Sequence, residues 1–256
     1  MKNLLLFFVD EDHIEYVSEL VGSITLAALA LFVVVMLLIC LTKKNFNTKS
    51  VTYGAICVAA SFALSFLKVS PVVYGGSITL ASLVPVMMYA YCFGLGKGLL
   101  IGLVTGLLNF IQSPYILTPV TFLLDYVLAF SSIGLMGLAR KFGKNTLFNV
   151  LMGVLLVYGA RFLFHFVSGL IYFDLGQVWA ELPKDNGIVY SLLYNVTYLV
   201  PDAVIAGIVF TVMIKTNNFQ LLMNLMNPPR KVEVLAGEVA SQTEAESTNA
   251  KNDKTR

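Results

Sequence analysis

FNVLMGVLLVYGARFLFHFVSGLIYF, residues 148–173, carries Arg161 and His165 as its basic groups and no acid. A hydrocarbon core about 30 Å thick is crossed by roughly 20 apolar residues in a helix, so this run spans it with residues to spare. Inside lipid the backbone must satisfy its own donors and acceptors within the segment, which selects a helix. Arg161 and His165 then lie inside a membrane span, where ionisable groups normally pair or line a cavity.

Six further apolar stretches lie outward from this one, at about 22–42, 51–69, 77–93, 97–113, 117–138 and 187–215. The runs at 77–93 and 97–113 are short for full crossings and leave room for tilt or re-entry, with Gly94, Gly96 and Gly98 marking a tight junction between them. The 256-residue chain is 57% hydrophobic and only 12% charged, too apolar for a soluble domain. An all-α integral membrane protein of about seven spans is expected.

Charge placement gives the expected orientation. Lys43, Lys44, Lys49, Lys97, Arg140, Lys141 and Lys144 follow the first, third and fifth spans, which makes those ends cytoplasmic. Asp10, Glu11, Asp12, Glu15 and Glu19 precede the first span, and Asp174, Glu181, Lys184 and Asp185 precede the last. These ends are assigned to the outside of the cell membrane, with Lys68 a mild exception, so the N-terminus is outside and the C-terminus cytoplasmic. The organisation read from this pattern is an acidic N-terminus, an additional helix and a basic loop over 1–50, a membrane domain over 51–216, and a polar, disordered cytoplasmic tail over 217–256.

Several classes are excluded. The net charge of +2 is spread without a basic patch for nucleic acid. Cys40, Cys57 and Cys92 each sit in an apolar run and form neither a disulfide framework nor a metal-ligand spacing. Residues 1–9 lead directly into acids without a cleavage signal, so no cleaved signal peptide is expected. No internal repeat supports an inverted-repeat transporter. Lys97 lacks the Ser or Thr that would complete a phosphate-binding loop, and no HExxH, GxSxG or CxxC occurs. The chain is read as having no catalytic residues, metal or cofactor, with any ATP-driven work done by another subunit.

The polar residues inside the spans carry the functional signal. Arg161 and His165 share a helix face that continues to Gly169, where the missing side chain is expected to open space. Asp202 lies seven residues beyond Asn195, on nearly the same face of the last span. Arg161 and Asp202 both fall mid-span and are expected to form a structural ion pair, a proton relay through Asp202 being the alternative. Nearer the outer surface, Asp125 and Tyr126 follow the Pro114–Tyr115 turn, while Gly169, Tyr172 and Phe173 lie above His165, and Tyr190, Tyr194 and Asn195 open the last span. Carboxylate, imidazole, amide, phenols and a phenyl ring together suit a small cationic heteroaromatic molecule. Taken singly, each also fits helix-to-helix hydrogen bonding or an interfacial aromatic belt. Trp179, the single tryptophan, fits an interfacial anchor or a cover for the site. Ala55, Ala59 and Ala63 form a smooth stripe on the second span, suited to internal packing or to a partner helix.

Five local strings occur in order along the chain: Tyr74-Gly75, Pro114-Tyr115-Ile116-Leu117, Leu124-Asp125-Tyr126, Phe164-His165-Phe166 with Gly169, and Tyr190-Ser191-Leu192 followed by Asn195. Through these strings the chain, over roughly residues 50–215, resembles the thiamine-specific S-components of energy-coupling factor transporters. The resemblance implies a six-helix S-component bundle with an extra N-terminal transmembrane helix. It also implies an outward-facing thiamine site of Tyr115, Asp125, Tyr126, His165, Phe173, Tyr190 and Asn195. Ala55, Ala59 and Ala63 would become the surface for a transmembrane coupling subunit, which works with two ATPase subunits. Asp125 stands where the family commonly has Glu, Phe173 where it has Trp, and Gly76 where a loop Trp is usual. Another vitamin, or a thiamine precursor such as hydroxymethylpyrimidine, is therefore an alternative ligand. An intramembrane enzyme using His165 and Asp125 is the alternative from a different class.

Overall fold

The computed structural model describes residues 47–71, 76–179 and 182–226. The expected first span at 22–42, the acids before it, Cys40, the Tyr74-Gly75 string and Glu181 lie outside these residues. The described chain is a helical bundle. Four of its helices are long and apolar enough to cross a membrane.

Helix α1 (Thr48–Ser65) starts where the Asn47 side chain accepts from the Ser50 N–H at 2.9 Å, satisfying one of the donors left free at a helix start. Its buried face consists mainly of small groups, including Ser50, Gly54, Cys57 and Ser61. Ser61 donates to the Ser82 carbonyl at 2.6 Å, tying α1 to the turn before α2. Ala55, Ala59 and Ala63 are exposed on the other side and pack against none of the described helices.

The chain departs from the expected helices just after α1. Strands β1 (Lys68–Pro71) and β2 (Ser77–Thr79) form an antiparallel hairpin, pairing Lys68 with Thr79 and Pro71 with Ser77. Helix α2 (Val84–Phe93) begins only after it, with proline in its first turn. The runs at 51–69 and 77–93 are thus not continuous helices. Hydropathy cannot separate a buried strand and turn from a helix, whereas Pro71 and the β-branched residues beside it favour extended backbone. With 10 residues, α2 reaches only about 15 Å. It is enclosed on all sides: Val86, Met87, Tyr89 and Ala90 are fully buried.

Gly94, at φ 88°, turns the chain into α3 (Leu95–Gln112). Gly98, Gly102 and Gly106 recur at every fourth position of α3 and face the next helix. A Cβ at Gly102 would meet the Phe130 carbonyl, and one at Gly106 the Tyr126 carbonyl, so glycine is what lets the two backbones touch. That next helix, α4 (Pro119–Lys141), is irregular, passing through a π-helical stretch at Leu123–Leu128 and ending in a 3₁₀ stretch at Ser132–Lys141.

Helices α5 (Thr146–Asp174) and α6 (Gly187–Lys215) pack along each other as the longest pair, capped at their starts by Asn145 and Asn186. Asn217, with φ 60°, then leads into α7 (Asn218–Met226), which buries Phe219 and Met226 against the bundle. The polar tail expected from 217 therefore begins as a packed amphipathic helix, because its apolar residues recur on one face.

Lys97, Arg140, Lys141 and Lys144 gather at one end of the bundle, where α2 and α4 finish and α3 and α5 begin. Arg140 donates there to the Cys92 carbonyl at 3.3 Å. The hairpin, the Pro114–Tyr115 turn and the α5–α6 connection occupy the opposite end.

Candidate functional site

At the hairpin end the helices surround a cavity of about 110 Å³. The local fold of α4 sets its acidic group. Thr118 caps the helix in a reciprocal pair with Thr121, Pro119 fixes the first turn, and the π-helical stretch that follows contains Asp125 and Tyr126. A π-turn inserts one extra residue and rotates the side chains after it, a device frequent at functional sites. Tyr126 donates to the Ser113 carbonyl at 2.9 Å and accepts from the Tyr115 N–H at 3.2 Å, which folds the Pro114–Tyr115 turn back onto α4.

Helix α5 supplies the groups facing Asp125. The Nδ1 of His165 lies 2.8 Å from one carboxylate oxygen, and the Ser168 hydroxyl donates to the other at 2.7 Å. With its proton on Nδ1, His165 donates to the carboxylate and leaves Nε2 as an acceptor. This Nε2 is buried without a partner among the described residues.

Tyr115, Asp125, Tyr126, His165, Gly169, Tyr190 and Asn195 all line the cavity. Phe173 does not. It packs on the Tyr190 ring at 5.4 Å and against Gly187, because eight residues turn it about 80° away from the His165 face. Tyr172, seven residues beyond His165, stays on that face and stacks on Tyr115 with ring centres 5.5 Å apart. Gly169 opens no space, since a Cβ there would strike the Ser191 hydroxyl. It brings α6 close enough for Ser191 to donate to the Phe166 carbonyl at 2.7 Å.

Asn195 is almost fully buried and already engaged. Its amide donates to the Ser191 and His165 carbonyls at 2.8 and 3.2 Å, and its oxygen accepts from Tyr198 at 2.8 Å. Tyr194 accepts from the Gly76 N–H at 3.2 Å, and a side chain at Gly76 would press on the Tyr194 hydroxyl and the Tyr198 ring. Tyr172, Tyr194 and Tyr198 also belong to the cavity wall; the sequence places Tyr172 and Tyr194 near the outer pocket without a binding role and does not single out Tyr198. The signal was available, since Tyr190, Tyr194, Tyr198 and Asp202 repeat at every fourth residue. Trp179 is not among the lining residues, and its backbone N–H donates to the Tyr190 hydroxyl at 2.8 Å.

The floor of the cavity corrects another expectation. Arg161 and Asp202 both line it, yet no ion pair joins them. Asp202 instead accepts from the Thr79 N–H at 3.2 Å, the Thr79 hydroxyl at 2.9 Å and the Tyr158 hydroxyl at 2.7 Å. The unforeseen hairpin supplies two of these donors, so the carboxylate is satisfied without the guanidinium. Arg161 lies over the Phe130 ring, 4.4 Å from its centre. Among the described residues no group of His, Cys, Asp and Glu forms a metal site.

The model of the family described as thiamine transporter protein (Thia_YuaJ) matches residues 51–222. The chain belongs to this thiamine transporter family. The match runs from α1 into α7 and takes in every wall of the cavity. The thiamine transporter ThiT of Bacillus subtilis (strain 168) is 32% identical over 157 residues, covering 56% of this chain and 77% of the relative. A solved structure of ThiT from Listeria monocytogenes superposes with a TM-score of 0.56 at 22% identity, covering 69% of this chain and 96% of that one. That likeness carries the fold, an all-α membrane bundle. This member of the family is a multi-pass membrane transport protein and not an enzyme, which sets aside catalysis by His165 and Asp125.

Proposed function

We propose that the chain is the thiamine-binding subunit of an energy-coupling factor uptake transporter, capturing thiamine from outside the cell. The observation that carries this reading is the Asp125 carboxylate, fixed by His165 and Ser168 inside an aromatic-walled cavity. Thiamine joins a cationic thiazolium ring to an aminopyrimidine. A cation about 4 Å from a carboxylate gains roughly 4 kcal/mol at an effective dielectric near 20, enough to place the charged ring beside Asp125. The stacked Tyr115 and Tyr172 offer a flat wall for a ring, and His165 Nε2 offers an acceptor for the exocyclic amine.

Orientation follows from the basic end of the bundle. Lys97, Arg140, Lys141 and Lys144 face the cytoplasm, so the cavity opens outward and the C-terminus is cytoplasmic. Release inward is driven by partners: a transmembrane coupling subunit seated on the exposed Ala55, Ala59 and Ala63 stripe, and two ATPase subunits that hydrolyse ATP. The exposure of the stripe among the described residues supports this role.

Titrating purified protein with thiamine tests the proposal. Saturable binding that weakens at least about 100-fold in the Asp125→Asn, His165→Ala double variant is the expected result. No binding, or equal binding by the double variant, defeats it. The position of Phe173 outside the cavity wall favours one competing ligand, hydroxymethylpyrimidine, and tighter binding of that compound than of thiamine would replace the assignment.

A further inference from the structure

We propose that Arg161 is a direct ligand-binding residue, its guanidinium donating to an acceptor atom of the bound molecule and making the cavity floor a second recognition subsite below Asp125. The inference rests on the reading of the cavity as a thiamine site.

Arg161 is only 6% exposed, yet its Nε and Nη1 find no acceptor among the described residues. Buried donors are ordinarily paired, and a buried guanidinium above all, since it cannot shed its charge. The natural partner, Asp202, is taken by Thr79 and Tyr158. The Phe130 ring holds the guanidinium from one side. Its donors belong to a side chain that lines the cavity.

One helical turn above, His165 Nε2 is a further unpartnered buried atom on the same face of α5. The two residues thus leave open hydrogen-bonding positions at successive levels. Asp125 draws a cationic ring to the upper level. On the floor the Asp202 carboxylate is already engaged as an acceptor, so the open positions there are the Arg161 donors, and the end of the ligand that reaches them is rich in acceptors. Thiamine has two such features, the oxygen of its hydroxyethyl arm and the ring nitrogens of its pyrimidine.

A crossed panel of proteins and ligands tests this. Affinities are measured for thiamine, for an analogue with ethyl in place of hydroxyethyl, and for one with carbon in place of a pyrimidine ring nitrogen. Each is titrated into wild-type protein, Arg161→Met and Arg161→Lys. Wild type is expected to bind one analogue about tenfold or more weakly than thiamine, and that analogue identifies the acceptor. In Arg161→Met the penalty should shrink to within about threefold, because the donor is gone for both ligands. Arg161→Lys, which keeps the charge without the guanidinium, should fall between them and decides the matter where the methionine variant does not fold.

Penalties unchanged in the variants, or wild type that binds both analogues as tightly as thiamine, overturn the subsite. A structural Arg161 gives the first of these results, with all ligands weakened in parallel. Wild type that binds no thiamine removes the site reading and this inference together, an outcome distinct from unchanged ratios.

Discussion

The α3–α4 seam and the α5–α6 seam both use glycine to bring helices together, but they hold different things. On α3, Gly98, Gly102 and Gly106 press against the backbone of α4 and its neighbours, so the contact is main chain on main chain. On α5, Gly169 presses against the Ser191 hydroxyl, and the close approach lets Ser191 and Asn195 bond to carbonyls of α5. Without a hydrophobic drive between helices in lipid, close packing and interhelical hydrogen bonds do the work of association. The first seam uses the packing to build a rigid wall. The second adds the hydrogen bonds and so keeps polar side chains beside a cavity.

The largest expected effect comes from breaking the first seam. A Gly102→Ala, Gly106→Ala double variant places two methyl groups against α4 carbonyls and should lose about 3 kcal/mol, as overpacked sites do. For a domain of this size that is a fall in thermal midpoint of roughly 6 to 12 °C in detergent. An unchanged midpoint would show that the two helices are free to separate. Next in size is Asp125→Asn in the ligand site. Replacing the carboxylate should weaken thiamine binding roughly 100-fold with the melting temperature nearly unchanged, separating recognition from fold.

Gly169→Ala sharpens the contrast, because it disturbs both functions of the second seam at once. The added methyl displaces Ser191, and with it the bonds that place Asn195 and Tyr198. Binding should weaken about tenfold and stability should fall by roughly 1 kcal/mol, a smaller thermal loss than in the α3 variant. Thermal loss as large as in the α3 variant would make the two seams equivalent.

Which parts were legible in the sequence follows the same division. Long spans such as 148–173 and 187–215 stand out because hydropathy and length together admit one structure, and α5 and α6 fall close to those bounds. The hairpin was hidden because its strands are only 4 and 3 residues long, too short for an alternating pattern to register, and with it went the true partners of Asp202. An ion pair with Arg161 looked compelling from depth alone. Two donors from Thr79, more than a hundred residues away in the chain, decided otherwise. The convergence of Asp125 with His165 was suggested by residue type and order, whereas Ser168, the third member, gave no signal because serine is common in membrane helices.

The smallest expected effect bears on angular position around α5. Tyr172 and Phe173 are adjacent aromatics, and a consecutive pair on a helix diverges by about 100°. Tyr172 stacks on Tyr115 and lines the cavity, while Phe173 packs behind Tyr190. Tyr172→Ala should therefore weaken thiamine binding about tenfold, the scale of one lost aromatic contact. Phe173→Ala should change it less than about threefold, through a slight loosening of Tyr190. The reverse order in a binding titration would mean that Phe173 turns into the cavity when thiamine is bound. The ligand-bound wall of α5 would then differ from the wall described here by a rotation of that one ring past Tyr190.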